Sequence, residues 1–247
     1  MTFPVEKFGK KGGDVIVFLA GFPDDCTSGW GNTVVEFSKT HRCLCFCLPG
    51  FQDGKVKPWG YSLQELREMF HSTLTAALKE EGDDDIKVTF IIHDWGSYIG
   101  MCYVNKYPER IKRVVAFDVG ILNSPKGYNL FIILLYQMTF AFIYLVSQLP
   151  LIGNLLANIW AALYFLLTPK FLAPCPHDKV PRPRSEITVN LFYPYYQQLL
   201  GPQGYFRNMR GMMRPKFPFT DNKDTVSPPL MFLYGTKKNA FFHSDSF

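Results

Sequence analysis

One acidic side chain stands where a reactive group would be needed. In FIIHDWGSYIG, Phe90 to Gly100, an apolar strand pattern runs into a helical pattern through a turn with Asp94 at its tip. A sharp strand-to-helix turn holds its tip side chain clear of the backbone. Small residues after the tip let the helix pack closely, and the next backbone N–H helps to form an oxyanion hole. Gly96 and Ser97 supply those small residues. A carboxylate at the tip can attack an sp³ carbon and form an ester, which water then hydrolyses. Ser97 is not the tip nucleophile, because a serine elbow requires glycine two residues before it and Trp95 stands there. The alternative for Asp94 is a solvated loop residue, which accounts for the aspartate but not for its surroundings.

Several elements must position that turn. Val15–Leu19 (VIVFL) is predicted as a buried strand ending in a turn at Gly21–Pro23, and Arg42–Leu48 (RCLCFCL) as a second strand ended by Pro49 and Gly50. Ser62 with Glu65 three residues on forms a capping-box pattern for a helix to about Glu80. A third strand, Lys87–Ile92, feeds the Asp94 turn, and a helix follows to about Lys106. Arg113–Phe117 and Leu230–Tyr234 are predicted as further strands. Buried strands alternating with helices imply a parallel sheet covered on both faces.

Composition narrows the function classes. The chain has 247 residues, 47% hydrophobic and 19% charged, with a formal net charge of +5. Its basic residues are scattered, without the aromatic-interleaved stripe of a nucleic-acid binder. Cys43, Cys45 and Cys47 alternate on one predicted strand, roughly 6–7 Å apart, which is a poor spacing for bridging. Reduced core cysteines are expected, as in a cytosol-facing protein. The Cys/His spacing fits no zinc site, and neither a metal nor a cofactor is expected. The N-terminal MTFPVEKFGKKGGD lacks the apolar core of a signal peptide, so secretion is not expected.

Four motifs in order resemble the α/β-hydrolase superfamily, in its aspartate-nucleophile branch of epoxide hydrolases and haloalkane or haloacid dehalogenases. They are AGFPDD (Ala20–Asp25), LPGF (Leu48–Phe51), HDWGS around Asp94, and PERIKRVVAFD leading to Asp118. The resemblance spans about Val15–Gly120, with a weaker stretch at Pro228–Gly235. It implies an α/β-hydrolase fold, a mostly parallel sheet flanked by helices with an inserted helical cap. It implies a core at 1–122, a cap at 123–228 and the end of the core at 229–247, with the last strand and helix of the family missing. It further implies Asp94 as nucleophile, the backbone N–H groups of Phe22 and Trp95 as the oxyanion hole, and Asp118 as the acid that orients a histidine. The Trp95 indole is a second candidate contact, to a leaving halide. In epoxide hydrolases cap tyrosines protonate the leaving oxygen, which makes Tyr193, Tyr195 and Tyr196 candidate acids. Two departures stand out: Ala20 replaces the motif histidine, and Ile92 replaces a small residue two before the nucleophile. The family's activating histidine follows one more strand. His41, His71, His93, His177 and His243 do not match it, His93 being structural in the motif. The expectation is therefore a truncated enzyme, or a membrane-associated binding protein on a decayed hydrolase scaffold.

The insertion carries its own signal. Asn129–Ser147 is uncharged and about 28 Å long as a helix, and Leu151–Leu167 follows without charge. Neither run has a polar face. Two readings stand: membrane contact through 129–167, as two spans returning to one side, or an apolar cap enclosing a tunnel for a lipophilic small molecule. The flanking cations Lys126, Lys170, Lys179, Arg182 and Arg184 fit the first, by the positive-inside rule. The expected location is the membrane with the core facing the cytosol, or the cytoplasm.

Overall fold

The structure is a computed structural model that describes residues 2–82, 86–120, 127–168, 182, 186–202, 204, 227–238 and 241. The described strands are β1 (Val5–Phe8), β2 (Val15–Leu19), β3 (Arg42–Phe46), β4 (Val88–His93), β5 (Ile111–Phe117) and β6 (Leu230–Leu233). They form one sheet in the order β1-β3-β2-β4-β5-β6. Only β1 is antiparallel to its neighbour; β3, β2, β4, β5 and β6 run parallel. The parallel sheet was predicted. Strand β1 was not, because VEKF is short and half-polar, and its pairing with RCLCF supplies the register that its own pattern lacks.

Every residue of β2 and β3 is buried, as continuous apolar runs between covering helices require. Helix α1 (Asn32–Phe37) follows β2. Helix α2 (Leu63–Glu81) buries Leu66, Phe70, Leu74, Ala77 and Leu78 at helical spacing. The Phe70 ring meets Phe3, Phe46 and Tyr103 edge-on with centroids 5.1–5.4 Å apart, each pair contributing about 0.5–1.5 kcal/mol beyond burial. Strand β6 was expected as a buried strand. Its side chains are mostly exposed, because among the described residues it is an edge strand with one neighbour.

Cys26, Cys43, Cys45, Cys47 and Cys102 are free thiols. Cys26 and Cys47, both fully buried, bring their Sγ atoms to 3.1 Å. Spacing along β3 gave no sign of this approach, since Cys26 comes from the loop after β2.

The chain divides into two compact units. One holds Met1–Gln52, Gln64–Gly120 and Lys216–Tyr234; the other holds Asp53–Leu63, Ile121–Pro215 and Gly235–Phe247. In the second unit α4 (Gly127–Ser147) and α5 (Gly153–Leu167) form an antiparallel hairpin, and α6 (Tyr193–Leu199) packs on α4. Phe140 of α4 stacks on Phe192 at 4.3 Å and meets Tyr164 of α5 and Tyr195 of α6 edge-on. Gly153 admits the close turn, since a Cβ there would lie 2.4 Å from the Val146 carbonyl oxygen. Loop 53–63 belongs to this unit: Asn190 donates to the Gly54 carbonyl at 2.8 Å. Among the described helices, α4 is long and apolar enough to cross a membrane by length and composition.

Candidate active site

The turn after β4 is built by close approaches rather than by capping. Asp94 has φ +52° and ψ −124°, a backbone conformation that a non-glycine residue adopts at a cost of about 1–3 kcal/mol. It is the N-cap residue of α3 (Trp95–Lys106), yet its side chain makes no capping hydrogen bond to that helix. The Phe22 N–H, from the loop after β2, instead donates to Asp94 Oδ2 at 2.7 Å. Glycine permits this meeting. A Cβ on Gly21 would lie 2.5 Å from both Asp94 Oδ2 and the Trp95 nitrogen, and one on Gly96 would lie 2.0 Å from the Leu19 carbonyl oxygen. The N-terminus of a twelve-residue helix also favours a negative charge at this spot.

Ile92 is accommodated on the helix side. A Cβ on Gly100 would sit 3.0 Å from Ile92 Cγ2, so glycine in α3 makes the room that a smaller residue in β4 would otherwise have made. Ser97 is fully buried, and its hydroxyl donates to the Phe117 carbonyl at 3.4 Å. It is a strut between α3 and β5.

A second group of polar side chains lies in the same unit. Asp118 follows β5 with φ +64°, and its N–H donates to the Leu233 carbonyl at 2.8 Å. Its Oδ2 is 3.4 Å from His93 Nε2. The structure thus brings Asp118 to the half-buried His93, read from the motif as structural. Burial pushes the His93 pKa down, but the bond to Asp118 and the charges of Asp94, Asp118 and Asp24 outweigh it and hold the imidazole above its ordinary value. Trp30 faces the His93 ring edge-on at 6.3 Å. Asp24 is 4% exposed. Burial raises its pKa to about 6, with Asp94 and Asp25 adding to the rise and His93 opposing it.

Asp24, Gly21 and Trp30 were missed as site residues. The two consecutive acids after Phe22-Pro23 were the available signal for Asp24. Asp25 spends its carboxylate locally, accepting from the Thr27 and Ser28 N–H groups at 2.9 and 2.8 Å, while Asp24 accepts from the Ser28 hydroxyl at 3.5 Å. The Trp95 indole is buried against Tyr98. The three candidate tyrosines lie on α6, all buried. Tyr193 packs on Tyr61 and against Gly60, whose φ of +71° suits glycine; Tyr195 shares a hydroxyl hydrogen bond with Tyr136; Tyr196 lies on Trp59 and Tyr144. Among the described residues no cluster of three His, Cys, Asp or Glu side chains could hold a metal ion. His177 and His243 lie outside the described residues.

A parallel sheet whose third parallel strand delivers a strained acidic turn onto a helix defines a hydrolase-type α/β fold. The family model described as alpha/beta hydrolase fold matches residues 14–246, and the chain belongs to that family. It is 30% identical over 122 residues to a cis-3-alkyl-4-alkyloxetan-2-one decarboxylase of Shewanella oneidensis, a match covering 46% of this chain and 35% of the relative. It is 23% identical over 107 residues to epoxide hydrolase 1 of Caenorhabditis elegans, covering 42% of this chain and 25% of the relative. The matched stretches thus span about a third or less of these curated relatives. An epoxide hydrolase variant from Bacillus megaterium superposes with TM-score 0.60 at 20% identity, covering 97% of this chain and 81% of that one. That likeness is one of fold.

Proposed function

We propose that this chain is an aspartate-nucleophile hydrolase that opens a lipophilic epoxide, or displaces halide from an alkyl carbon, through an ester on Asp94. The observation that carries this reading is the 2.7 Å hydrogen bond from the Phe22 N–H to Asp94 Oδ2. It fixes Oδ2 where an ester carbonyl oxygen would lie, and Oδ1 is assigned to attack carbon as the ring C–O bond breaks. Oδ2 then becomes the ester carbonyl oxygen. When water adds to the ester carbon, the negative charge develops on Oδ2, where the Phe22 N–H already points and the Trp95 N–H is assigned as second donor. Asp118 is assigned as the acid that would orient the family's activating histidine, which none of the histidines in this sequence matches, and Tyr193, Tyr195 and Tyr196 are the candidates to protonate the departing oxygen. Incubation of the protein with a styrene-type epoxide, followed by intact mass spectrometry, tests this. A covalent adduct is expected that persists in the unmutated protein and vanishes in Asp94→Asn. An adduct that persists in Asp94→Asn overturns the assignment.

The Shewanella relative favours a second reading on the same nucleophile. An oxetan-2-one is also a strained oxygen ring. Attack by Asp94 on its sp³ C–O carbon would open it to an ester bearing a free carboxylate. Loss of CO₂ from that carboxylate would form the C=C bond and expel Asp94, with no water consumed. A cis-3,4-dialkyl oxetan-2-one separates the two: alkene and CO₂ support this reading, a 3-hydroxy acid supports hydrolysis.

A further inference from the structure

Among the described residues, the outer face of the α4–α5 hairpin is left open and is uncharged. Residues 127–168 contain no Asp, Glu, Lys, Arg or His. On α5, Leu155, Leu156, Ile159, Trp160, Leu163, Leu166 and Leu167 are exposed. At 100° per residue they cover an arc of about 140° opposite the buried Ala157 and Ala161. Leu130, Phe131, Leu134, Leu135 and Phe142 extend the exposure along α4. These side chains leave on the order of 1,000 Å² of apolar surface in water, above the few hundred usual for a soluble monomer.

The tip adds an independent observation. Leu151 is 103% exposed and has φ +67°. A branched residue in the left-handed region is strained, and Leu151 is held clear of the described residues. Leu149 and Ile152 beside it are also exposed. The tip is nonetheless tied to charged chain: Gln148 Oε1 accepts from the Trp59 N–H at 3.2 Å, and Lys57, two residues earlier, sits over the Tyr61 ring. The inner side of α4 is occupied by α6 and by Phe192. A hairpin crossing a bilayer would carry its tip about 30 Å from the charged side, with lipid on every face of both helices.

We propose that the hairpin lies in the plane of a phospholipid leaflet, its α5 arc and Leu149–Ile152 tip sunk into the boundary between headgroups and acyl chains, without crossing. The boundary between headgroups and acyl chains accepts a broad apolar arc, and residues 127–168 carry no charge that would oppose its entry. The α5 length of about 22 Å falls short of a hydrocarbon core but suits an in-plane helix. The inference goes beyond the Asp94 chemistry and does not depend on it.

Co-sedimentation of the full chain with phosphatidylcholine vesicles, with and without phosphatidylserine, reads the partition. The triple variant Leu151→Glu, Ile159→Glu, Leu163→Glu should bind at least tenfold more weakly at an unchanged thermal midpoint, since all three side chains are exposed. Should the triple variant fail to fold, Leu151→Glu alone gives the test, with an expected severalfold loss. Trp160 emission should be quenched more by lipid brominated near the headgroup than near the chain ends, and Trp160→Phe should remove most of that quenching. No sedimentation with either vesicle overturns the proposal. So does a stable dimer dissociated by the triple variant, which identifies a second copy as the occupant, and so does strongest quenching from the chain ends, which means a crossing.

Discussion

At the residue scale, the informative fact about Asp94 is where its carboxylate points. An N-cap aspartate ordinarily accepts from the amides of its own helix. This one accepts from Phe22, 72 residues away in sequence. Asp24 makes the neighbourhood pH-dependent. Its folded pKa of about 6 lies above its ordinary 3.8, so between those values the folded state holds more protons than the unfolded state and stability falls as pH rises. Asp24→Asn removes that loss. Urea unfolding should show little change at pH 4 and a gain on the order of 1–3 kcal/mol at pH 8. His93 has a dependence of the same sign at higher pH: its raised pKa contributes stability that is complete below its ordinary 6.5 and is lost as pH rises through the folded value. Because Asp24 helps to hold His93 charged, the same variant should lower the His93 titration midpoint by NMR. An unmoved midpoint would mean that the two side chains do not interact.

At the element scale, two glycines on one helix have different jobs. Gly96 lets α3 start against the β2 backbone, and a methyl there would meet a carbonyl that cannot move. Gly100 makes room for the flexible Ile92 side chain. Gly96→Ala should therefore destabilise by more than about 3 kcal/mol, with no rescue at position 92. Gly100→Ala gains about 1 kcal/mol of helix propensity and loses about 1–3 kcal/mol to crowding. Combined with Ile92→Val it should become neutral or stabilising. A double-mutant cycle by thermal unfolding reads that coupling, and additive effects would show that Ile92 does not press on α3. The elbow was legible from small residues after an acid. That Gly100 compensates for Ile92 was not, because eight residues separate them and only the crossing of α3 over β4 brings them together.

At the scale of the whole molecule, distant segments are joined through buried polar contacts as well as apolar ones. Arg42 of β3 reaches Glu81 at the end of α2 at 2.8 Å and donates to the Gly9 carbonyl, with both side chains nearly buried. Glu81→Ala would leave the guanidinium uncompensated, at a cost of about 3–5 kcal/mol. Arg42→Met combined with Glu81→Leu should cost clearly less. Chemical denaturation of the three variants checks the order; equal losses would mean that the pair has no role beyond packing. The greasy insertion belongs to this scale too. Its lack of charge was plain in the sequence, while the division into a face packed on α6 and a face left open appears only when both helices are folded.

What the sequence determined by itself is local. Apolar runs set the spans of β2, β3 and β4, small residues after Asp94 set the elbow, and motif order set the family. These signals act within a few residues, through backbone sterics and side-chain periodicity. The tertiary structure decided which distant groups meet. It paired VEKF with β3, brought Cys26 to Cys47, turned Asp118 toward His93, joined loop 53–63 to the insertion, and buried Asp24 enough to shift its titration. Each of these depends on chain crossings tens of residues apart, where no local propensity acts, and on a dielectric environment that exists only after the core has closed.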